Sequence, residues 1–121
     1  MTEIRMIHIP EVTDERGQVA FVETGTCCPF RIKRAFWITG VPAGQHRGGH
    51  AHKKCRQMLV AATGSFHVII NGKSLHLNKP TVGLYIPPGV HLDLCNFSKG
   101  AVCLVLASDR YDPEDYVNGS L

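Results

Sequence analysis

Turn-forming residues interrupt this chain so often that short strands are the only regular elements it readily accommodates. The sequence of 121 residues contains twelve glycines and seven prolines, many of them between short apolar runs. An Asn71-Gly72 pair separates two such runs, and this dipeptide is the strongest short signal for a β-hairpin. Many short strands joined by turns are typical of a sandwich or a barrel. The pattern therefore predicts an all-β fold.

The predicted strands share β-branched, aromatic or alternating residues and a turn signal at one end. They span residues 19–23, 33–39, 57–63, 66–70, 74–77, 81–86 and 101–107. No segment before Asp112 keeps a helical period, whereas Asp112 could cap a helix that has Pro113 at its first position. The length fits one hydrophobic core, and no repeat or linker divides the chain, so we predict a single domain over residues 1–121.

Composition excludes several classes of protein. The formal charge of +3 is too small for the basic stripe of a nucleic-acid-binding protein. The longest uncharged apolar stretch, residues 101–107, is far too short to span a membrane, and the first residues form no apolar leader. Five cysteines make an odd count without framework spacing, which argues against a secreted disulfide scaffold. These features predict a cytoplasmic protein that binds neither nucleic acid nor membrane.

Two histidines separated by one residue, His50 and His52, give the strongest chemical signal. On a β-strand, side chains at positions i and i+2 lie on the same face, so both imidazoles would enter one cavity. Residues 44–64 resemble the first motif of the cupin family, G-x5-H-x-H-x4-E-x6-G, with Gln57 in place of the glutamate. The resemblance implies a jelly-roll β-barrel.

The same resemblance bears on metal binding. Most cupins hold a metal with two histidines and the glutamate of the first motif and a histidine of the second motif. Gln57 is neutral and a poor ligand. His91, in a weaker match to the second motif, is one residue out of register, and such a slip turns a side chain to the other face of a strand. We therefore expect no metal and no other cofactor, and the histidines would act as bare acid–base groups. A metal-dependent cupin dioxygenase remains a less favoured alternative.

A closer resemblance involves residues 47–54, which read RGGHAHKK. This run is similar to the R-G-x-H-A-H-K signature of the nucleotide-sugar 3,4-ketoisomerases, cupin enzymes that act on dTDP-4-keto-6-deoxyglucose. Further pieces match in order from Asp14 to Tyr116, among them Tyr111-Asp112-x-x-Asp115-Tyr116, so the resemblance spans nearly the whole chain.

The resemblance to these isomerases implies a reaction, a partner and catalytic residues. It implies a metal-free enzyme, commonly a homodimer, in which His50 and His52 are essential. Its substrate would be a dTDP-4-keto-6-deoxyhexose of bacterial deoxysugar and glycan biosynthesis, with the ketone moved from C4 to C3. An imidazole suits such a proton transfer, because its ordinary pKa lies near neutrality.

Several polar residues are candidates for binding the substrate. Arg34 and Arg47 flank the strands expected to line the cavity, and arginine can hold a phosphate through two parallel hydrogen bonds. Arg16, in an Asp-x-Arg-Gly turn, could serve the diphosphate or form a salt bridge. Arg47 or Gln57 could donate hydrogen bonds to an enediolate intermediate.

Aromatic residues mark a departure from the ketoisomerase pattern. The family carries a tyrosine in the strand before the H-A-H loop, where this chain has Phe36 and Trp37. Trp37 could still stack on a sugar or a thymine ring, and Tyr85 could replace the missing phenol from another strand. Tyr111 and Tyr116 are expected to serve packing or dimer contacts. The missing hydroxyl leaves a second hypothesis open, a non-catalytic cupin that binds a nucleotide sugar.

Overall fold

The structure, a computed structural model, describes residues 3–117, and within them it contains twelve strands and one 3-10 turn. The strands are β1 (Arg5–His8), β2 (Glu11–Asp14), β3 (Gly17–Ala20), β4 (Arg34–Thr39), β5 (Arg47–His52), β6 (Gln57–Thr63), β7 (Phe66–Ile70), β8 (Lys73–Leu77), β9 (Val82–Ile86), β10 (Leu92–Cys95), β11 (Val102–Ala107) and β12 (Tyr116–Val117). The 3-10 turn spans Pro113–Asp115, directly before β12. None of the helices in this described part of the chain is long and apolar enough to cross a bilayer.

Ten strands form two antiparallel sheets of five strands each. The first sheet has the order β1-β9-β6-β11-β4 and the second has the order β12-β5-β10-β7-β8, while β2 and β3 form a separate hairpin. Apolar side chains from both sheets pack together in one core, which includes Leu59, Phe66, Leu84 and Leu94. The two sheets therefore face each other, and the all-β fold of the cupin and jelly-roll kind predicted from the sequence is confirmed.

The alternation of side chains along the first sheet also creates a second core on its outer face. In β9, Leu84 belongs to the core between the sheets, whereas Tyr85 packs outside with Phe30 and Met58. Phe30 belongs to the segment before β4. The first sheet therefore has an inner face, where a ligand cavity can form, and an outer face that is covered by the segment before β4.

The turn signals located most of the elements. The strands predicted at 57–63 and 66–70 have those bounds, and Asn71 and Gly72 form the two-residue turn with positive φ values of 51° and 76°. The start of a helix predicted after Asp112 is a single 3-10 turn, in which the Asp112 carboxylate accepts a hydrogen bond of 3.0 Å from the Glu114 N–H. The sequence did not predict β1, β2, β10 and β12, because each has four residues or fewer. The strand predicted at 19–23 lies earlier, at Gly17–Ala20.

Candidate active site

Strand β5 carries both histidines into the interior. His50 and His52 are 7% and 5% exposed, and their ring centroids lie 5.2 Å apart. Two glycines with positive φ, Gly48 and Gly49, precede them. A Cβ atom on Gly48 would lie 3.1 Å from the carbonyl oxygen of Leu92, so glycine lets β5 approach β10 closely. Because Leu92 pairs with His50, this approach helps to place the first imidazole.

His50 lies at the wall of a cavity of about 700 Å³ between the two sheets. Aliphatic side chains line much of it, including Leu59, Leu94 and Val105, and Gln57 supplies a buried amide. The loop between β4 and β5 also contributes to its lining. A cavity of this size with few polar groups is typical of a small-molecule site.

His52 is held by a carboxylate from the C-terminal part of the described chain. Its Nδ1 lies 2.8 Å from Oδ2 of Asp115, and both side chains are 5% exposed. Burial raises the pKa of Asp115, but hydrogen bonds from His52 and from the backbone of Lys54 and Cys55 outweigh it and lower the pKa below its ordinary value. An ionised Asp115 accepts a hydrogen bond from Nδ1–H, which leaves Nε2 of His52 free to accept a proton.

Tyr116 packs against both histidines. Its ring centroid lies 4.5 Å from that of His52 and 4.8 Å from that of His50. Pairing of β12 with β5 sets these contacts, because Tyr116 stands opposite His52 in the register. Burial raises the pKa of the Tyr116 phenol, although the nearby Arg34 guanidinium opposes the shift. The phenol is therefore protonated at neutral pH.

The environment of His50 favours its neutral form. Burial lowers the pKa of His50, and the possible positive charges of His52 and His91 lower it further, while the Gly48 backbone opposes them. A histidine with a lowered pKa is mostly unprotonated at pH 7. His50 can therefore accept a proton from a ligand in the cavity.

The structure brings some of the predicted binding residues to this cavity. Arg47, Gln57 and Trp37 are among its lining residues, and Trp37 is 66% exposed on the edge strand β4. Arg34 lies beside Tyr116, and its guanidinium carbon is 5.1 Å from the centroid of the Phe36 ring. Three of these residues therefore line the cavity, whereas Arg34 lies beside Tyr116 and is not among the lining residues.

Two other predicted binding residues lie apart from the cavity. The Arg16 side chain is 84% exposed at the tip of the β2–β3 hairpin, where it forms an ion pair of 2.6 Å with Asp14. Tyr85 is completely buried in the outer core, 6.1 Å from the ring of Phe30. The side-chain alternation of β9 explains this position, because the residues on either side of Tyr85 face inward.

Asp115 and Tyr116 are the functional candidates that sequence reasoning missed. Asp115 had no predicted role, and Tyr116 was expected to serve packing or a dimer contact. The signal for both residues was their place in the C-terminal piece that matches the ketoisomerase pattern. Neither residue has spacing that links it to the histidine pair.

The donor set does not fit the metal site of a typical cupin. Leu92 faces the cavity, whereas His91 is exposed, and Gln57 offers a neutral amide. A different group of possible ligand atoms, from His52, Cys55 and Asp115, lies within 4.8 Å. Asp115 in that group already binds His52 and the Lys54 N–H. We derive no chemical step through a metal.

Comparisons with known proteins identify the family of this chain. A protein-family model described as "FdtA: WxcM-like, C-terminal" matches residues 2–120. This chain belongs to that family. The chain is similar to TDP-4-oxo-6-deoxy-alpha-D-glucose-3,4-oxoisomerase from Aneurinibacillus thermoaerophilus, which is 39% identical over 119 residues, covering 95% of this chain and 86% of the relative.

Solved structures of 3,4-ketoisomerases share the fold along nearly the whole chain. The sugar 3,4-ketoisomerase QdtA from Thermoanaerobacterium thermosaccharolyticum, solved in complex with TDP, has a TM-score of 0.92 and 38% identity, with 96% of this chain and 88% of that chain covered. The TDP-quinovose 3,4-ketoisomerase WlaRB from Campylobacter jejuni has a TM-score of 0.91 and 35% identity, with coverages of 98% and 95%.

Proposed function

We propose that this protein is an isomerase that moves the ketone of a dTDP-4-keto-6-deoxyhexose from C4 to C3. The observation that carries the proposal is the placement of His50, with its lowered pKa, at the wall of the largely apolar cavity between the sheets. The relatives support the substrate class, since one is named for a TDP-4-oxo-6-deoxy sugar and another was solved with TDP.

The chemistry follows from the position of the ketone. The C4 carbonyl acidifies the hydrogen on C3, and neutral His50 removes it as a proton. The electron pair moves to the C4 oxygen and forms an enediolate. When the C3 hydroxyl gives up its proton, the C4 oxygen takes up a proton and the C4 carbon gains another, the ketone stands at C3 and a hydroxyl at C4, so C3 is oxidised and C4 is reduced without an external redox partner. His52, oriented by Asp115, accepts the proton from the C3 hydroxyl and donates a proton to the C4 oxygen.

The nucleotide part of the substrate needs an anion partner and a flat surface. Arg47 lines the cavity and carries a permanent positive charge suited to a diphosphate. Trp37 offers an exposed ring for stacking on the sugar or the thymine. Gln57 supplies a hydrogen-bonding amide inside the cavity.

The proposal includes a homodimer in the cytoplasm. Val12 and Val19 are 59% and 63% exposed on the β2–β3 hairpin, and Trp37 is exposed on an edge strand. Exposed apolar surface of this kind favours association with a second copy. Five unpaired thiols are consistent with a reducing compartment.

Incubation with dTDP-4-keto-6-deoxyglucose in D₂O, followed by NMR, tests the activity directly. We expect the 3-keto product and incorporation of deuterium from the solvent. His50→Asn or His52→Asn should lower turnover by about 10²-fold or more with binding nearly intact, because each removes a proton-transfer group. Arg47→Ala should mainly weaken binding.

Binding without product or isotope exchange would instead support the second candidate, a non-catalytic nucleotide-sugar-binding cupin. The absence of a hydroxyl at Phe36 and Trp37 is the observation that favours this second candidate.

A further inference from the structure

Few side chains around the cavity between the sheets can transfer a proton. Among the described residues that line it, only His46, Arg47 and His50 carry titratable groups. A guanidinium stays protonated in proteins, whereas an imidazole can give and take a proton near neutral pH. His46 therefore joins His50 as a lining residue suited to acid–base chemistry, and the mechanism above gives it no role.

A carboxylate holds the His46 ring directly before β5. Nδ1 of His46 lies 2.6 Å from Oδ2 of Asp93, a residue of β10. A carboxylate accepts hydrogen bonds and does not donate them, so Nδ1 carries the donated hydrogen and Nε2 remains available for proton transfer. The arrangement parallels the bond between His52 and Asp115.

The two lining imidazoles differ in their access to water. The His46 side chain is 58% exposed, whereas His50 is 7% exposed and is mostly neutral because its pKa is lowered. A neutral imidazole is suited to removing a proton from C3. His46 contacts both the cavity and the solvent, so a proton that it gives to a ligand can be replaced directly from water.

The mechanism leaves one proton without a source. His50 removes the proton from C3 and His52 serves the two sugar oxygens, but the C4 carbon must also gain a proton before the ketone stands at C3. We propose that His46 is the catalytic residue that gives this proton to C4 and that Asp93 positions its ring. This assignment rests on the proposed function.

The step balances without a redox partner. The enediolate has a double bond between C3 and C4, and the electron pair of this bond takes the Nε2 proton of His46 and forms the new C4–H bond. The C3 oxygen, which has given its proton to His52, supplies the electron pair for the C3 carbonyl. Water then returns a proton to Nε2 of His46.

The His46→Gln variant tests this role in D₂O with dTDP-4-keto-6-deoxyglucose. His50 is intact, so recovered substrate should exchange its C3 hydrogen for deuterium no more slowly than with the wild type. Product formation should fall by about 100-fold or more with KM nearly unchanged, because a proton-transfer group is lost. Asp93→Ala should cause a smaller loss of the same kind, because the imidazole remains but is no longer oriented.

His67→Gln is the matched control for the loss of an imidazole. His67 also has a side-chain partner at Nδ1, with Nδ2 of Asn96 at 3.0 Å, but it is not among the residues that line the cavity. We expect wild-type exchange and turnover from this control.

Exchange and product formation together separate catalysis from structure, because C3 exchange requires a folded variant that binds the substrate. A joint loss of exchange and product in His46→Gln would overturn the assignment, and so would a kcat within about threefold of the wild-type value. A wild type that binds the TDP-sugar but shows neither exchange nor product would instead refute the proposed function itself.

Discussion

At the scale of single residues, the balance of burial and hydrogen bonding decides which protonation states the site contains. His50 loses much of its hydration, and its neighbours are potential cations, so its neutral form is favoured. Asp115 is equally buried but accepts several hydrogen bonds, so its charged form is favoured. Proteins commonly obtain acid–base pairs through such contrasting environments.

The lowered pKa of His50 leads to a prediction about pH dependence. His50 must be neutral to remove a proton, and it becomes protonated only as the pH falls through its pKa, which lies below the ordinary value of 6.5. We therefore expect kcat/KM to hold as the pH decreases to 6.5 and to fall at lower pH. A pH–rate profile measures this fall of kcat/KM at acidic pH. NMR titration of the His50 ring, identified with His50→Asn, should give the same midpoint, and a midpoint above 6.5 would contradict the prediction.

The histidine pair was predictable from the sequence, whereas its supporting residues were not. Alternation along a strand is a local rule, so the spacing of His50 and His52 predicts a shared face. Asp115 is 63 residues away from His52 in the chain. Only the pairing of β12 with β5 brings it and Tyr116 into contact with the imidazoles, and no local pattern encodes that pairing. Tyr85 points outward because of the register of β9 in the sheet. The turn signals in the sequence predict where β9 ends but not this register.

At the scale of elements, the close pairing of β5 with β10 holds His50 in place. The two strands share a register shift between Leu92 and Asp93, next to Gly48. Irregularities of this kind bend a strand and redirect its side chains near functional sites. The need for glycine at position 48 is thus linked, through the pairing of β5 with β10, to the position of the His50 imidazole.

Alanine at Gly48 should therefore damage both stability and turnover. Gly48 and Gly49 both have positive φ, so alanine at either position should cost about 1–2 kcal/mol in the free energy of unfolding. A Cβ at Gly49 meets nothing within 4 Å, whereas one at Gly48 approaches the Leu92 carbonyl. We expect Gly48→Ala to be the more destabilising variant in urea denaturation and to lower kcat more. Equal effects of the two variants would show that steric approach to β10 is unimportant.

At the scale of the whole molecule, the β2–β3 hairpin stands apart from both sheets. Its two strands pair only with each other, and all eight of their residues are exposed. Val12 and Val19 stand opposite each other in its register. Isolated two-stranded ribbons are marginally stable in water, so a hairpin whose residues are all exposed needs contacts with another molecule to be well ordered.

We expect the hairpin to lie in the interface of the proposed dimer. Val12→Glu combined with Val19→Glu should convert the dimer to a monomer in light scattering coupled to size-exclusion chromatography, because it would place charges in an apolar contact. Thr13→Glu combined with Gln18→Glu is the matched control, since these residues are also paired in the hairpin. A wild type that elutes as a monomer would refute the dimer, and equal effects of the two double variants would refute the specific role of the valines.

The long separation between His52 and Asp115 has a consequence for synthesis of the protein. A ribosome delivers the cavity-lining strands first and the carboxylate that orients His52 only after them. The sheets can therefore assemble around an imidazole pair that is not yet oriented. We expect a nascent chain that has emerged only as far as β11 to lack turnover until the segment with Asp115 has paired with His52.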